Sequence, residues 1–151
     1  MLPFHKIICP LDFSDPSYEA LHSAAEMALH FQAEVVIVHV IPPAPPGIPA
    51  DPRYAFAVLE DYEKALRGKA EEQFTVVVQS LPESIKFRNV IATGDAADEI
   101  VRLAKDESAD LIVIATHGLT GWRHLIFGSV AEKVIRHADR PVLVIPVHES
   151  K

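Results

Sequence analysis

The chain has 151 residues, 49% of them hydrophobic and 23% charged, the balance of a globular protein of one domain with a sizeable core. Lys and Arg number 14 against 21 Asp and Glu, a net charge of −7 that lacks the basic footprint of nucleic-acid binding. The single Cys9 cannot close an intrachain disulfide, and the apolar runs fall far short of the ~20 residues of a membrane helix.

Residues 1–6 show no leader pattern, so a reduced, cytoplasmic chain with no membrane partner is expected. Residues 6–11 form a short apolar run without helical period and predict a buried strand. Asp15-Pro16 predicts an N-cap followed by proline in the first turn. Ala20, Leu21, Ala24, Met27, Ala28 and Phe31 then recur at helical spacing, so a first helix is expected to about Phe31. Residues 34–41, almost continuously apolar, predict a strand buried on both faces. Six prolines between Pro42 and Pro52 mark a stiff, extended loop. A longer helix is expected over about 54–81, with Gly68 and the β-branched stretch 75–78 weakening its second half.

Residues 85–92 alternate as a strand does, and Gly94-Asp95 opens a third helix with Ile100, Leu103 and Ala104 on its apolar side. Residues 110–116 predict the fourth strand. A loop over 117–127 leads to a helix from Gly128 to about Ala138, and 141–145 predict the last strand. This alternation implies βαβ units and a mostly parallel sheet covered on both faces. In such sheets ligands sit beyond the carboxyl ends of the strands, where strand order reverses. Three strand ends qualify: Pro10-Leu11-Asp12, Val40-Ile41, and Ala115 to Gly118.

The stretch from Ala115 to Ser129 leaves a strand, crosses a loop containing Gly118, Gly121 and Gly128, and enters a helix. Glycines permit close backbone approach, and a helix N-terminus offers unpaired N–H groups with partial positive charge, a geometry suited to phosphate. The loop is neither a Walker A sequence nor Gly-x-Gly-x-x-Gly. It also fits a tight turn and an ordinary cap, because Ser129 and Glu132 have the spacing of a capping box. His117 and His124 flank the glycines, with Arg123 the nearest fixed positive charge. Cys9, in mid-strand, reads as a small core residue. No nucleophile–base pair, Gly-x-Ser-x-Gly elbow or metal-ligand spacing is visible, so no catalytic residue and no metal site of the protein's own are expected.

Gly118, nine intervening residues and Gly128-Ser129 resemble the nucleotide loop Gly-x2-Gly-x9-Gly-Ser/Thr of the universal stress protein family, with Ala115 in place of its first glycine. Cys9-Pro10-Leu11-Asp12-Phe13-Ser14, Val38-His39-Val40, Asp110-Leu111-Ile112-Val113 and Arg140-Pro141-Val142-Leu143-Val144-Ile145 resemble other signatures of that family. The match runs in one register from about Phe4 to Val147. The resemblance implies a Rossmann-like α/β fold, a five-stranded parallel sheet of order 3-2-1-4-5 with helices on both faces, and bound ATP. It implies that Asp12 faces the adenosine, with Pro10 and Leu11 shaping the pocket and Val40 touching adenine. It likewise implies that Ala115, Thr116, His117, Gly118, Leu119, Thr120, Gly121 and Arg123 form the phosphate loop, and that Gly128, Ser129, Val130 and Ala131 offer backbone N–H groups. The alanine Cβ at 115 is unfavourable only if that residue needs positive φ. Mg²⁺ is expected to enter with the phosphates. In this strand order the segment from Pro141 to Pro146 is an uncharged sheet edge, so a homodimer through it is expected. The function expected is ATP-dependent sensing or regulation. The alternatives are a dimeric scaffold of the same fold without nucleotide and a slow ATPase.

Overall fold

The computed structural model describes residues 2–117 and 127–147. Along the chain run β1 (Lys6–Pro10), α1 (Asp15–Phe31), β2 (Glu34–Ile41), α2 (Pro52–Gln79), β3 (Lys86–Thr93), α3 (Ala96–Asp106), β4 (Leu111–Ala115), α4 (Ser129–His137) and β5 (Val142–Ile145). The strands form one sheet of order β3-β2-β1-β4-β5, and every neighbouring pair is parallel. Cys9 stands opposite Ile37, Ile8 opposite Ile112, and Ile114 opposite Val144. Each crossover returns the chain to the same end of the sheet, so all carboxyl ends share one edge. The strand order reverses between β1 and β4.

Strand alternation divides the core in two. Ile7, Cys9, Val35, Ile37, Val113 and Ala115 face α1 and α2, meeting Ala20, Leu21, Ala24, Ala28, Phe74 and Val77. Ile8, Val36, Val38, Ile112 and Ile114 face α3 and α4, meeting Ala97, Ile100, Ala104, Ala131 and Val134. The central strands are therefore apolar on both faces over most of their length, with Lys6 and Glu34 at the amino ends and His39 near the carboxyl end of β2.

Element limits moved by a few residues, each for a local reason. The N-cap of α1 is Ser14 rather than Asp15; its hydroxyl accepts the Ser17 N–H at 3.3 Å, with Asp15 and Pro16 inside the first turn. Helix α2 starts earlier than expected because Asp51 accepts the Arg53 N–H at 3.0 Å and Pro52 occupies the first turn. It also passes through Gly68 and the β-branched stretch without a break. Ala70, Phe74 and Val77 bury one face there, and packing outweighs the weak propensity. Its first half extends away from the core, leaving Tyr54 64% and Phe56 70% exposed.

Charges tie the amino edge of the sheet. Lys6 lies 3.7 Å from Glu34 and 3.2 Å from Glu107, while Arg88 bonds Glu34 at 2.9 Å and also bonds Glu107. The Arg88 guanidinium holds the Glu107 carboxyl below its usual value, against an opposing contribution from burial. Burial pushes the Asp110 carboxyl up, but the N–H groups of His5 and Lys6, at 2.7 and 2.9 Å, bring it below its usual value. Both carboxyls hold protons more tightly in the unfolded chain. Their stabilisation is therefore present above the ordinary carboxylate range and lost as pH falls through the lowered values. Thermal melts are expected to show stability dropping between about pH 5 and pH 3, with a shallower drop in Glu107→Gln.

Candidate functional site

The carboxyl edge gathers the ends of β1, β2 and β4 with the start of α4. At the end of β1, Pro10 is half-buried and Leu11 is only 2% exposed, its side chain in the core beneath α1 and α2. The Leu11 N–H donates to the Val38 carbonyl at 2.8 Å, and its own carbonyl lies 2.8 Å from His39 Nδ1. A carbonyl only accepts, so Nδ1 carries the proton. Leu11 thus frames the edge through positions already bonded to β2, rather than through an exposed surface.

Asp12 follows. Its Oδ1 accepts the Ser14 N–H at 3.0 Å and the Ser14 hydroxyl, placing the carboxylate at the mouth of α1. Phe13 carries the turn at φ 63°, a left-handed conformation that costs a bulky residue about 1–3 kcal/mol. Ring packing offsets that strain: Phe13 lies 4.7 Å from His39 and 5.3 Å from Phe74 between centroids. On β2, Val40 is half-buried and turned to the opposite face, against the cluster under α3 and α4.

At the end of β4, Ala115 is 8% exposed and pairs with Ile145. Positive φ occurs among the described non-glycine residues at Phe13, Gln32 and Ser108, and not at Ala115. Its Cβ therefore meets no backbone strain and fills core. Ala115→Gly is expected to relieve nothing and to lower stability by roughly 0.5–1 kcal/mol, through lost packing and added unfolded-state freedom. A urea unfolding midpoint that rises instead contradicts this.

Thr116 is 7% exposed and joins three segments. Its N–H donates to Ile145 O at 3.0 Å, its carbonyl accepts the Gly128 N–H at 2.6 Å, and its Oγ1 accepts the Val147 N–H at 3.3 Å. His117 Nδ1 pairs with the same Oγ1 at 3.0 Å. Sequence reasoning placed Thr116 in the phosphate loop; the structure shows it linking β5, the strand end and α4.

Gly128 is the N-cap of α4, with φ −68° and ψ 160° and no side-chain cap hydrogen bond. The Ser129–Glu132 capping box is thereby corrected: Ser129 is the first helical residue, and the Glu132 N–H donates at 3.0 Å to the Gly128 carbonyl. Any residue can adopt this backbone; space is what selects glycine. A Cβ there would stand 3.1 Å from Thr116 O. Gly128 brings no side chain to cap the first-turn N–H groups of Ser129, Val130 and Ala131, which lie at the positive end of the helix. Ser129 and Val130 are exposed, whereas the Ala131 side chain is buried. Lys133, one turn on, is paired with Asp95 and Asp98 at 3.0 and 2.9 Å.

Gly118, Leu119, Thr120, Gly121 and Arg123, with His124, lie outside the described residues. Among the described residues no group of three or more His, Cys, Asp or Glu could hold a metal, and no helix is long and apolar enough to cross a membrane. Burial pushes the Cys9 thiol up to about 12, which leaves it protonated and inert in the core. Two open grooves of about 640 and 660 Å³ lie on the flanks, between α2 and β3 and between α1 and β5. Sequence reasoning missed His39 as a structural partner of the Asp12 turn. Its place beside Val40 at a strand end was the available signal.

The model of the universal stress protein family matches residues 3–146. The universal stress protein MJ0531 of Methanocaldococcus jannaschii is 37% identical over 144 residues, spanning 94% of this chain and 82% of that one. The solved structure of the protein MJ0577 superposes with a TM-score of 0.81 at 29% identity, covering 97% of this chain and 99% of that one. A universal stress protein from Archaeoglobus fulgidus, solved in complex with dAMP, is 25% identical with a TM-score of 0.57 over 96% of this chain and 99% of that one. The glycine-capped α4, the 3-2-1-4-5 sheet and these likenesses agree, and the chain belongs to the universal stress protein family.

Proposed function

We propose that this chain binds an adenine nucleotide, ATP in its physiological form, and acts as a regulatory or sensing protein rather than a catalyst. The observation that carries the reading is the α4 N-terminus: its N-cap is a glycine that brings no capping side chain of its own, set against the end of β4. Such a terminus fits a phosphate, which needs several converging N–H donors and no intervening side chain. The dAMP complex of the Archaeoglobus fulgidus relative supports an adenine nucleotide as the ligand class.

In this reading Ser129, Val130 and Ala131 donate backbone N–H groups to phosphate oxygens, and the Ser129 hydroxyl adds another donor. Gly118, Leu119, Thr120, Gly121 and Arg123 are the loop residues that the family resemblance assigns to the phosphates, with His117 at the start of that loop. Asp12 accepts a hydrogen bond from ribose or base, because a carboxylate beside a triphosphate would repel it. Val40 packs on adenine, while Pro10, Leu11, Ala115 and Thr116 frame the site. Mg²⁺ arrives with the phosphates, as a small, strongly hydrated cation that keeps most of its waters. In this reading bound ATP is retained and shifts the populations of conformations or complexes. The cytoplasm is the compartment this reading assigns.

Chromatography of the supernatant after denaturing the purified protein tests the reading. ATP near one per chain is expected. No nucleotide favours a scaffold of the same fold, and ADP alone favours slow hydrolysis. We further propose a homodimer through β5, the sheet edge, where Leu143 is 38% exposed. Two uncharged edges related by a two-fold axis can pair antiparallel. Light scattering is expected to give a dimer that Val144→Lys converts to monomer; a monomeric parent contradicts it.

A further inference from the structure

We propose that His39 is a positioning residue for nucleotide binding: its imidazole fixes the turn between β1 and α1 and thereby sets Asp12. The inference rests on the nucleotide reading above. Asp12 is held between two constrained neighbours. On one side the Leu11 carbonyl, one residue beyond the last β1 pairing of Pro10 with Val38, accepts His39 Nδ1–H at 2.8 Å. On the other, Phe13 sits at φ 63°.

The same imidazole supports both. Its ring lies 4.7 Å from Phe13 at a 40° tilt and 6.4 Å from Phe74 edge-on, and Phe74 in turn meets Phe13 at 5.3 Å. Two rings, His39 from β2 and Phe74 from α2, close around the ring of the strained Phe13. Without the Nδ1 donor the Leu11 carbonyl loses its side-chain partner, and Phe13 can relax toward an ordinary φ. The peptides flanking Asp12 then rotate and carry its carboxylate with them. Successive strand residues point to opposite faces, and Val40 packs toward α3 and α4. His39 therefore points away from the face that Val40 presents, and it acts through Asp12 rather than by touching ligand.

Two variants separate donor from ring. His39→Phe keeps the ring and removes the donor; His39→Asn keeps a donor near the Nδ1 position and removes the ring. His39→Phe is expected to weaken ATP and AMP by the same factor, roughly tenfold, because Asp12 faces the nucleoside that both share. His39→Asn retains more affinity than His39→Phe. In an Asp12→Asn background, His39→Phe adds no further loss. Independently of any ligand, hydrogen exchange of the Phe13 and Ser14 amides accelerates by roughly tenfold in His39→Phe. Unchanged affinity in His39→Phe, a loss additive with Asp12→Asn, or unchanged exchange overturns the proposal. A parent that binds neither ATP nor AMP overturns the nucleotide reading and Asp12's role in it, and the exchange measurement then shows separately whether His39 holds the turn.

Discussion

Gly128→Val is expected to weaken ATP by at least tenfold, about 1.4 kcal/mol, and to destabilise the fold as well. The added Cβ would lie 3.1 Å from Thr116 O. That oxygen cannot retreat cheaply. It accepts the Gly128 N–H at 2.6 Å, and the Thr116 N–H is itself bonded to Ile145 O at 3.0 Å. Relief must come from a shift of the α4 N-terminus, which moves the Ser129, Val130 and Ala131 N–H groups out of register. Overpacking at a backbone crossing of this kind costs about 1–3 kcal/mol. Ser129→Ala is the companion variant. The Glu132 N–H that a Ser129 cap would take is bonded to the Gly128 carbonyl at 3.0 Å, so the ~1 kcal/mol that a lost serine cap would cost is not expected. ATP should weaken more than AMP, which lacks the terminal phosphates. A stability loss in Ser129→Ala without an ATP effect would restore the capping role that the structure removes.

Phe74→Ala is expected to be the most damaging single change on α2, at about 3–5 kcal/mol. Phe74 is 3% exposed and, with Ala70 and Val77, buries the helix against the sheet. Its ring also backs Phe13 and His39, so the cavity opens beneath the Asp12 turn. Phe56→Ala, the same substitution two-thirds of a helix away, is expected to stay within ±0.5 kcal/mol, because Phe56 is 70% exposed. Urea unfolding of the two variants checks the contrast. Equal losses would mean that the first half of α2 is covered in solution.

The fold was legible because its strands are short apolar runs and its helices carry periodic small residues. Ile112, Val113 and Ile114 could be nothing but a buried strand, and Ala20, Ala24 and Ala28 nothing but one face of a packed helix. At Gly128, Ala115 and Phe13 the deciding contact joins residues distant in sequence. Ser-x-x-Glu spacing at 129–132 matches a capping box, but the crossing of Gly128 over Thr116 sets the helix start one residue earlier. At Ala115 the family glycine pattern raised the question of positive φ. Pairing with Ile145 keeps the residue extended, so alanine serves. Phe13 carries no local sign of its left-handed backbone, because the rings that compensate for it are at positions 39 and 74. Ser14 and Asp15 are both good cap formers, and only the Ser17 N–H contact chooses between them.

The central claim is that the carboxyl edge, from Asp12 across Val40 to the α4 N-terminus, takes an adenine nucleotide. Isothermal titration of nucleotide-free protein with ATP and Mg²⁺ tests it most directly. The account predicts saturable binding of about one ATP per chain, weakened at least tenfold by Gly128→Val. Absence of saturable binding to the parent at millimolar ATP, or a Gly128→Val protein that is folded and binds as tightly as the parent, contradicts it.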